Sequence, residues 1–233
     1  MIKLLILIII FLYFIYNNKS NIYFLSKNET KFLFIKDYDN ILNKQNDHDI
    51  LNKWLNSISN FSINEQNKII SSINYVKKCI NKYILDESFK KQLLSLDLIF
   101  SKTIGEKYLY GYAHTRLNII FLTEKIIKIN NIKQLSIYII HEMSHIWQRI
   151  YKNDMIKWLQ LSGYYIINKY NNDICCNPSI NKLLFNPDID NNIYNNIIIL
   201  QKKYNNTEDL LYNYIMYYHP YEFFAYKLQN IIK

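Results

Sequence analysis

The chain has 233 residues, which is enough for one domain of ordinary size with a buried core. Half of the residues are apolar, and this excludes a globally disordered protein. The formal net charge is +9, but the lysines are scattered and only two arginines occur, so we expect no nucleic-acid partner.

An apolar run opens the chain, from Leu4 to Tyr16 behind Lys3. As a helix this run reaches about 20 Å, short of the roughly 30 Å of a bilayer core. We predict that residues 1–18 are an N-terminal hydrophobic anchor, with residues 2–16 in the membrane. The alternatives are a signal peptide that leads to secretion, and a buried strand or helix.

The side of the membrane on which the domain lies is open. Lysines that follow the run favour the cytoplasmic side by the positive-inside rule. Asn-x-Ser/Thr acceptor patterns at Asn28, Asn60 and Asn205 favour the opposite side, although such patterns arise by chance in a chain rich in asparagine.

Residues 19–46 are predicted to be a linker with a possible early strand, at 22–26 or at 31–36. From 47 to 59 the apolar residues share one helical face. A second helix begins after the capping-box pattern of Ser62 and Glu65, and keeps a helical period to Ile84.

The middle of the chain predicts two strands, at 94–102 and 115–125, separated by a loop with two of the three glycines. Asn130 or Asn131 then caps a helix. Helical patterns follow at 153–168, 190–204, 208–217 and 220–232. This order predicts an α+β fold with a small sheet and a mostly helical C-terminal lobe.

The cysteines predict no metal site. Cys79, Cys175 and Cys176 lack the CxxC spacing of zinc sites and form no disulfide framework, so we expect free, inert thiols.

The most informative stretch is HEMSH, residues 141–145. Positions i and i+4 share one helical face, so His141 and His145 can present two imidazole nitrogens to one ion. Glu142 lies about 100° further round the helix, where a carboxylate can take a proton from a metal-activated water. The alternative is an exposed helix with a chance pattern, which the flanking apolar residues disfavour.

HEMSHIWQ, residues 141–148, resembles the signature helix of the zincin metallopeptidases. The resemblance implies a zinc-dependent peptidase with one Zn²⁺ per chain, bound by His141, His145 and a third ligand, and with Glu142 as general base. It also implies a zincin-like sheet whose edge strand precedes this helix, and a peptide or protein substrate.

A candidate third ligand lies in HPYEFFAY, residues 219–226, which resembles the Glu-x-x-Ala element of glutamate-type (gluzincin-like) enzymes. Glu222 would bind the metal, and the small Ala225 would let its helix pack closely. Two alternatives remain: Glu222 is only a helix-start acid behind Pro220, or His219 is the true ligand.

Residues 111–122 resemble the edge strand that pairs with extended substrate in these enzymes. His114 on this stretch either contacts substrate or is a plain loop histidine. His219, Tyr221 and Tyr226 are further candidates for binding substrate or stabilising an oxyanion.

Together these features predict that residues 47–233 form a zincin-like metallopeptidase domain that hydrolyses peptide bonds. The main alternative is a catalytically idle zincin fold that acts as a binding module at a membrane. A nucleic-acid-associated basic protein is a third reading, for which the sequence offers little.

Overall fold

The computed structural model describes residues 21–33, 52, 55–105, 112–116, 118–164, 166–169, 183–185 and 220–232. Several predictions lie outside these ranges: the N-terminal anchor at 1–18, the helices at 190–204 and 208–217, and the state of Cys175 and Cys176. Within the described ranges, no helix combines the length and the apolar character needed to cross a membrane.

A mixed five-stranded sheet forms one layer of the fold. Its strands are β1 (Ile22–Phe24), β2 (Ile58–Ser59), β3 (Leu98–Thr103), β4 (His114–Arg116) and β5 (Ile119–Thr123). The order is β1-β3-β5-β4, with β2 also on β3. The β1–β3 and β3–β5 pairs are parallel, while β2–β3 and β4–β5 are antiparallel. Every residue of β5 is buried, and β4 is the edge strand beside it.

The helices whose two ends lie within the described residues are α1 (Ile63–Tyr83), α2 (Glu87–Leu94), α3 (Glu124–Ile127), α4 (Ile132–Ile150), α5 (Lys152–Leu161) and α6 (Pro220–Gln229), followed by a 3₁₀ turn at Asn230–Ile232. The predicted capping box is confirmed: the Ser62 amide donates to Glu65 at 2.7 Å, and the Glu65 amide donates to Ser62. Asn131 is the N-cap of α4, accepting from the Gln134 amide. The α+β fold class is therefore observed.

The strand predicted at 115–125 is wrong as a single element, and so is the edge strand predicted at 111–122. The structure has the β4–β5 hairpin there, with Arg116 opposite Ile119. Asn118 lies in the turn, and asparagine favours turns because its side chain hydrogen-bonds locally. Of these two strands, β5 lies inside the described sheet and β4 lies at its edge.

Two further predictions need correction. The helix predicted at 153–168 ends at Leu161, because Gly163 adopts a positive φ of 78° that stops it. Ile166–Lys169 is instead strand β6, which pairs with β7 (Leu183–Phe185). In the helix predicted at 47–59, Ile58–Ser59 is instead strand β2. Of the two alternatives for the early strand, the one at 22–26 is observed as β1, and residues 31–33 of the other are helical.

The core lies where α1 and α4 pack on each other and on the sheet. Both helices contribute residues with no more than 1% exposure: Ile69, Ile73, Val76 and Ile80 from α1, and Leu135, Ile139, Ile140 and Met143 from α4. The Ser136 hydroxyl of α4 donates to the Ser72 carbonyl of α1 at 3.0 Å. Burial of this apolar surface, at about 25 cal/mol per Å², holds α4 in place.

Aromatic side chains fix α6 against α4. The rings of Trp147 and Phe224 stack with centroids 5.1 Å apart. Phe89 meets both rings edge-on, and Trp158 meets Phe224 edge-on. The Trp147 indole donates to Gln92 at 2.9 Å. Each such ring pair adds about 0.5–1.5 kcal/mol beyond area burial. The first turn of α6 is thereby held against the middle of α4.

Candidate metal centre

Two histidines of α4 share one buried helical face. His141 is 9% exposed and His145 is fully buried. Their Nε2 atoms lie 3.1 Å apart, as the four-residue spacing allows. A helix with this much buried polarity needs partners, because an unsatisfied buried polar group costs several kcal/mol.

The first turn of α6 supplies a carboxylate to these histidines. Glu222 is 1% exposed, and its two oxygens lie 3.1 Å from His141 Nε2 and 3.3 Å from His145 Nε2. One ligand atom from each of the three residues lies within 4.8 Å of the others. Glu222 is thus also a first-turn acid, but a helix-start role alone does not explain a carboxylate buried against two imidazoles.

Each imidazole is also held at its other nitrogen by a glutamine. Gln148 donates from its amide nitrogen to the Tyr221 carbonyl at 2.8 Å, so its oxygen faces Nδ1 of His145 at 2.9 Å. Nδ1 of His145 must then carry the proton, which leaves a lone pair on Nε2. The Gln229 amide lies 2.8 Å from Nδ1 of His141.

These contacts test whether the residues fit a metal ion. Two nitrogens 3.1 Å apart beside a carboxylate repel one another if both carry lone pairs, so a proton or a metal ion must lie among them. When the amide nitrogen of Gln229 donates to Nδ1 of His141, the ring proton lies on Nε2. When the Gln229 amide is turned, its oxygen accepts from a proton on Nδ1, and Nε2 then has a lone pair for a metal ion. The buried group can therefore hold a metal ion.

The electrostatics separate the two glutamates. Burial alone would raise the pKa of Glu222, but His145 and His141, through their charge and their hydrogen bonds, hold it well below its usual range. Burial raises the pKa of Glu142 to about 7, and the negative charge of Glu222 adds to the rise. In the part of the chain that the structure describes, Glu142 Oε2 has no hydrogen-bond partner.

Arg149 lies two turns after Glu142 on α4. Burial lowers the pKa of its guanidinium to about 10, against the opposing effect of the Glu142 charge. Its three guanidinium nitrogens are buried, and none has a hydrogen-bond partner among the described residues. A cation and a carboxylate thus extend along the same side of the helix, next to the two histidines.

The other candidate residues have different positions. His114 is not a loop residue: it lies in β4, 2% exposed, with its ring stacked on Phe121 at 4.9 Å, and is outside the His141–His145–Glu222 group. The Tyr226 ring meets His141 edge-on at 5.1 Å and is 40% exposed. Tyr221 offers its carbonyl to Gln148. His219 lies outside the described residues.

Sequence reasoning missed the contributions of Gln229 and Arg149. The spacing of Gln229 behind Glu222 places both on one α6 face, since seven residues make about two helical turns. The same spacing relates Arg149 to Glu142 on α4. These spacings were readable signals, but glutamine and arginine are also ordinary surface residues.

No protein-family model matches this chain, and no curated protein or solved structure shows significant similarity to it.

Proposed function

We propose that the protein is a zinc-dependent metallopeptidase of the glutamate-ligand zincin type. The observation that carries the proposal is the buried donor set of His141, His145 and Glu222 with Glu142 beside it. Two imidazoles and a carboxylate are a ligand set known from catalytic zinc sites, which keep a position open for water or substrate. A purely structural zinc site would have no use for Glu142.

The residues would divide the chemistry as follows. Zinc, when bound, lowers the pKa of a coordinated water to about 7 and polarises a carbonyl. Glu142 would take a proton from the attacking water and deliver it to the leaving amine; its buried Oε2 supports this role, because it lacks a described partner. Gln148 and Gln229 would orient the imidazoles.

The substrate would be an extended peptide or protein segment. β4 is the last strand in the sheet order, and an edge strand can pair with an added strand through its backbone. α4 contacts both β4 and β5, so a peptide added there would run near the donor set. Tyr226, exposed beside His141, would donate to the developing oxyanion.

The test is Glu142→Gln. We expect loss of peptide hydrolysis by at least about 100-fold, the low end for general-base catalysis, with one zinc per chain retained. Glu124→Gln on α3, outside the site and paired with Lys128, is the matched control and should keep both properties. Hydrolysis of an unstructured protein and elemental analysis are the measurements.

Three outcomes are informative beyond this. A wild-type protein that takes up no zinc would contradict the proposal. A zinc-loaded wild type that cleaves no unstructured protein would favour the idle binding module instead. An active Glu142→Gln variant would remove Glu142 from the role of base.

A further inference from the structure

The proposed mechanism gives no role to Arg149, and the buried charge of this residue still needs a partner. Its three guanidinium nitrogens are buried, and none donates a hydrogen bond within the described ranges. An arginine stays charged in proteins, so it cannot escape the cost of burial by losing a proton. A buried cation without hydrogen bonds is costly unless an anion reaches it.

The position of Arg149 shows where such an anion would lie. At 100° per residue, positions 142 and 149 of α4 differ by only about 20° around the axis, and their Cα atoms are about 10.5 Å apart along it. Long helical side chains lean toward the helix N-terminus, so the guanidinium extends toward Glu142. Glu142 acts on it electrostatically but accepts no hydrogen bond from it.

The balance of charge indicates the sign and size of the partner. With a divalent ion on the donor set and Glu142 ionised, the ion and Arg149 bring three positive charges, and Glu142 and Glu222 bring two negative ones. One net positive charge would remain in a buried site. A single carboxylate would neutralise it, and the planar guanidinium fork binds a carboxylate through two parallel hydrogen bonds.

We propose that Arg149 binds a carboxylate of the substrate and makes the enzyme select peptides with that group close to the cleaved bond. This inference rests on the proposed peptidase function. Extended peptide advances about 3.3 Å per residue, so the roughly 10.5 Å between Arg149 and Glu142 sets the carboxylate within about three residues of the reacting bond. The carboxylate is either the chain terminus or an Asp or Glu side chain.

The experiment uses one peptide sequence in matched forms: free C-terminus or amide, and glutamate or glutamine near the cleavage site. Peptide binding is measured with the zinc-loaded Glu142→Gln variant, and peptide hydrolysis is measured with the active protein. Each measurement is repeated with Arg149→Met added. We expect the carboxylate form to bind about 10- to 100-fold more tightly than its neutral match, the range for a charge-assisted hydrogen bond. Arg149→Met should bring the ratio near one.

Controls separate this effect from net charge and from folding. Lys152→Met removes a cation from the exposed start of α5 and should leave the ratio unchanged. Arg149→Lys keeps the charge but not the fork, so a reduced preference should survive. If Arg149→Met does not fold, the wild-type ratio and Arg149→Lys carry the test.

The outcomes distinguish the two proposals. Cleavage without preference for carboxylate peptides, or a preference that Arg149→Met leaves intact, would overturn the role of Arg149 and spare the peptidase function. Failure of every peptide to bind or be cleaved by zinc-loaded protein would overturn both. A preference that follows the free terminus indicates a carboxypeptidase-like substrate, and one that follows glutamate indicates an acidic side-chain pocket.

Discussion

Two regions of the molecule bury histidine in opposite ways. At the contact of α4 and α6, His141 and His145 face the Glu222 carboxylate, and a glutamine meets the outer nitrogen of each. In the β4–β5 hairpin, His114 stacks on Phe121, and its Nδ1 faces the Tyr112 carbonyl at 3.4 Å. In the part of the chain that the structure describes, the first region has a carboxylate against the rings, and the ring of His114 packs on an apolar aromatic side chain instead.

Burial and charge together distinguish a candidate metal ligand from a core histidine. Burial disfavours the charged imidazole, and for His114 it lowers the pKa to about 4, so this ring is neutral near pH 7. In the α4–α6 region the carboxylate favours positive charge among the rings, whether a proton or a metal ion provides it. Burial alone therefore does not distinguish a candidate metal ligand from a core histidine, whereas burial beside a carboxylate indicates a site for a cation.

The largest effect should come from removing that anion. Glu222→Gln keeps the size of the side chain but removes its charge. Loss of a residue that hydrogen-bonds to a ligand costs roughly 10- to 100-fold in metal affinity, and we expect zinc affinity to fall by more than this when a ligand itself is changed. Wild-type protein should gain about 2.7 kcal/mol of unfolding free energy at a zinc concentration 100 times Kd, and the variant much less. Urea unfolding with and without zinc measures this, with Glu124→Gln as control. Full zinc binding by Glu222→Gln would leave Glu222 only its helix-start role.

A smaller effect should follow when a glutamine that contacts one of the imidazoles is replaced. Gln148→Leu removes the oxygen that fixes the proton of His145 on Nδ1, and it removes the amide that donates to the Tyr221 carbonyl. We expect zinc affinity to drop by about 10- to 100-fold, with one zinc still bound at saturation. Competition with a chelator gives the affinity. Gln134→Leu, on the exposed first turn of the same helix, is the matched control, and an equal loss there would show a general effect on α4.

The contrast also explains what the sequence allowed us to predict. The face of α4 was predictable because HEMSH places its polar residues at helical spacing within an apolar run, and Asn131 marks the start of the helix. Glu222 was found only through resemblance, since a first-turn acid is common on any helix. The reach of Gln229 to His141 depends on how α6 packs on α4, which aromatic contacts between residues distant in sequence help to fix. The local periodicity of a sequence does not indicate contacts between helices that are distant in sequence.

The strand errors have a similar origin. Ile166–Lys169 continues an apolar pattern that suits a helix, yet Gly163 ends α5 and the segment pairs with β7, a partner distant in sequence. Ile58 joins the sheet through β3 in the same way. Tertiary pairing outweighs weak local preference in short segments.

The smallest effect concerns the second region and depends on pH. The unfolded state binds a proton at His114 below about pH 6.5, whereas the folded state does so only near pH 4, so this residue costs stability as the pH falls between these values. Arg116 opposes protonation as well. His114→Phe can keep the stack on Phe121 and should remove about 1.4 kcal/mol of the loss between pH 7.5 and 5.5, since one pKa unit is worth about that much.

Urea unfolding of wild type and His114→Phe at both pH values isolates this contribution, because the titrating groups of the α4–α6 region are common to both proteins and cancel in the difference. Zinc stoichiometry should be unchanged in the variant, since His114 lies outside the donor set. An identical pH dependence in the two proteins would mean that the His114 ring takes up a proton in the fold as readily as in the unfolded chain. In that case the hairpin would need an anion of its own, and the two regions would bury histidine by one principle instead of two.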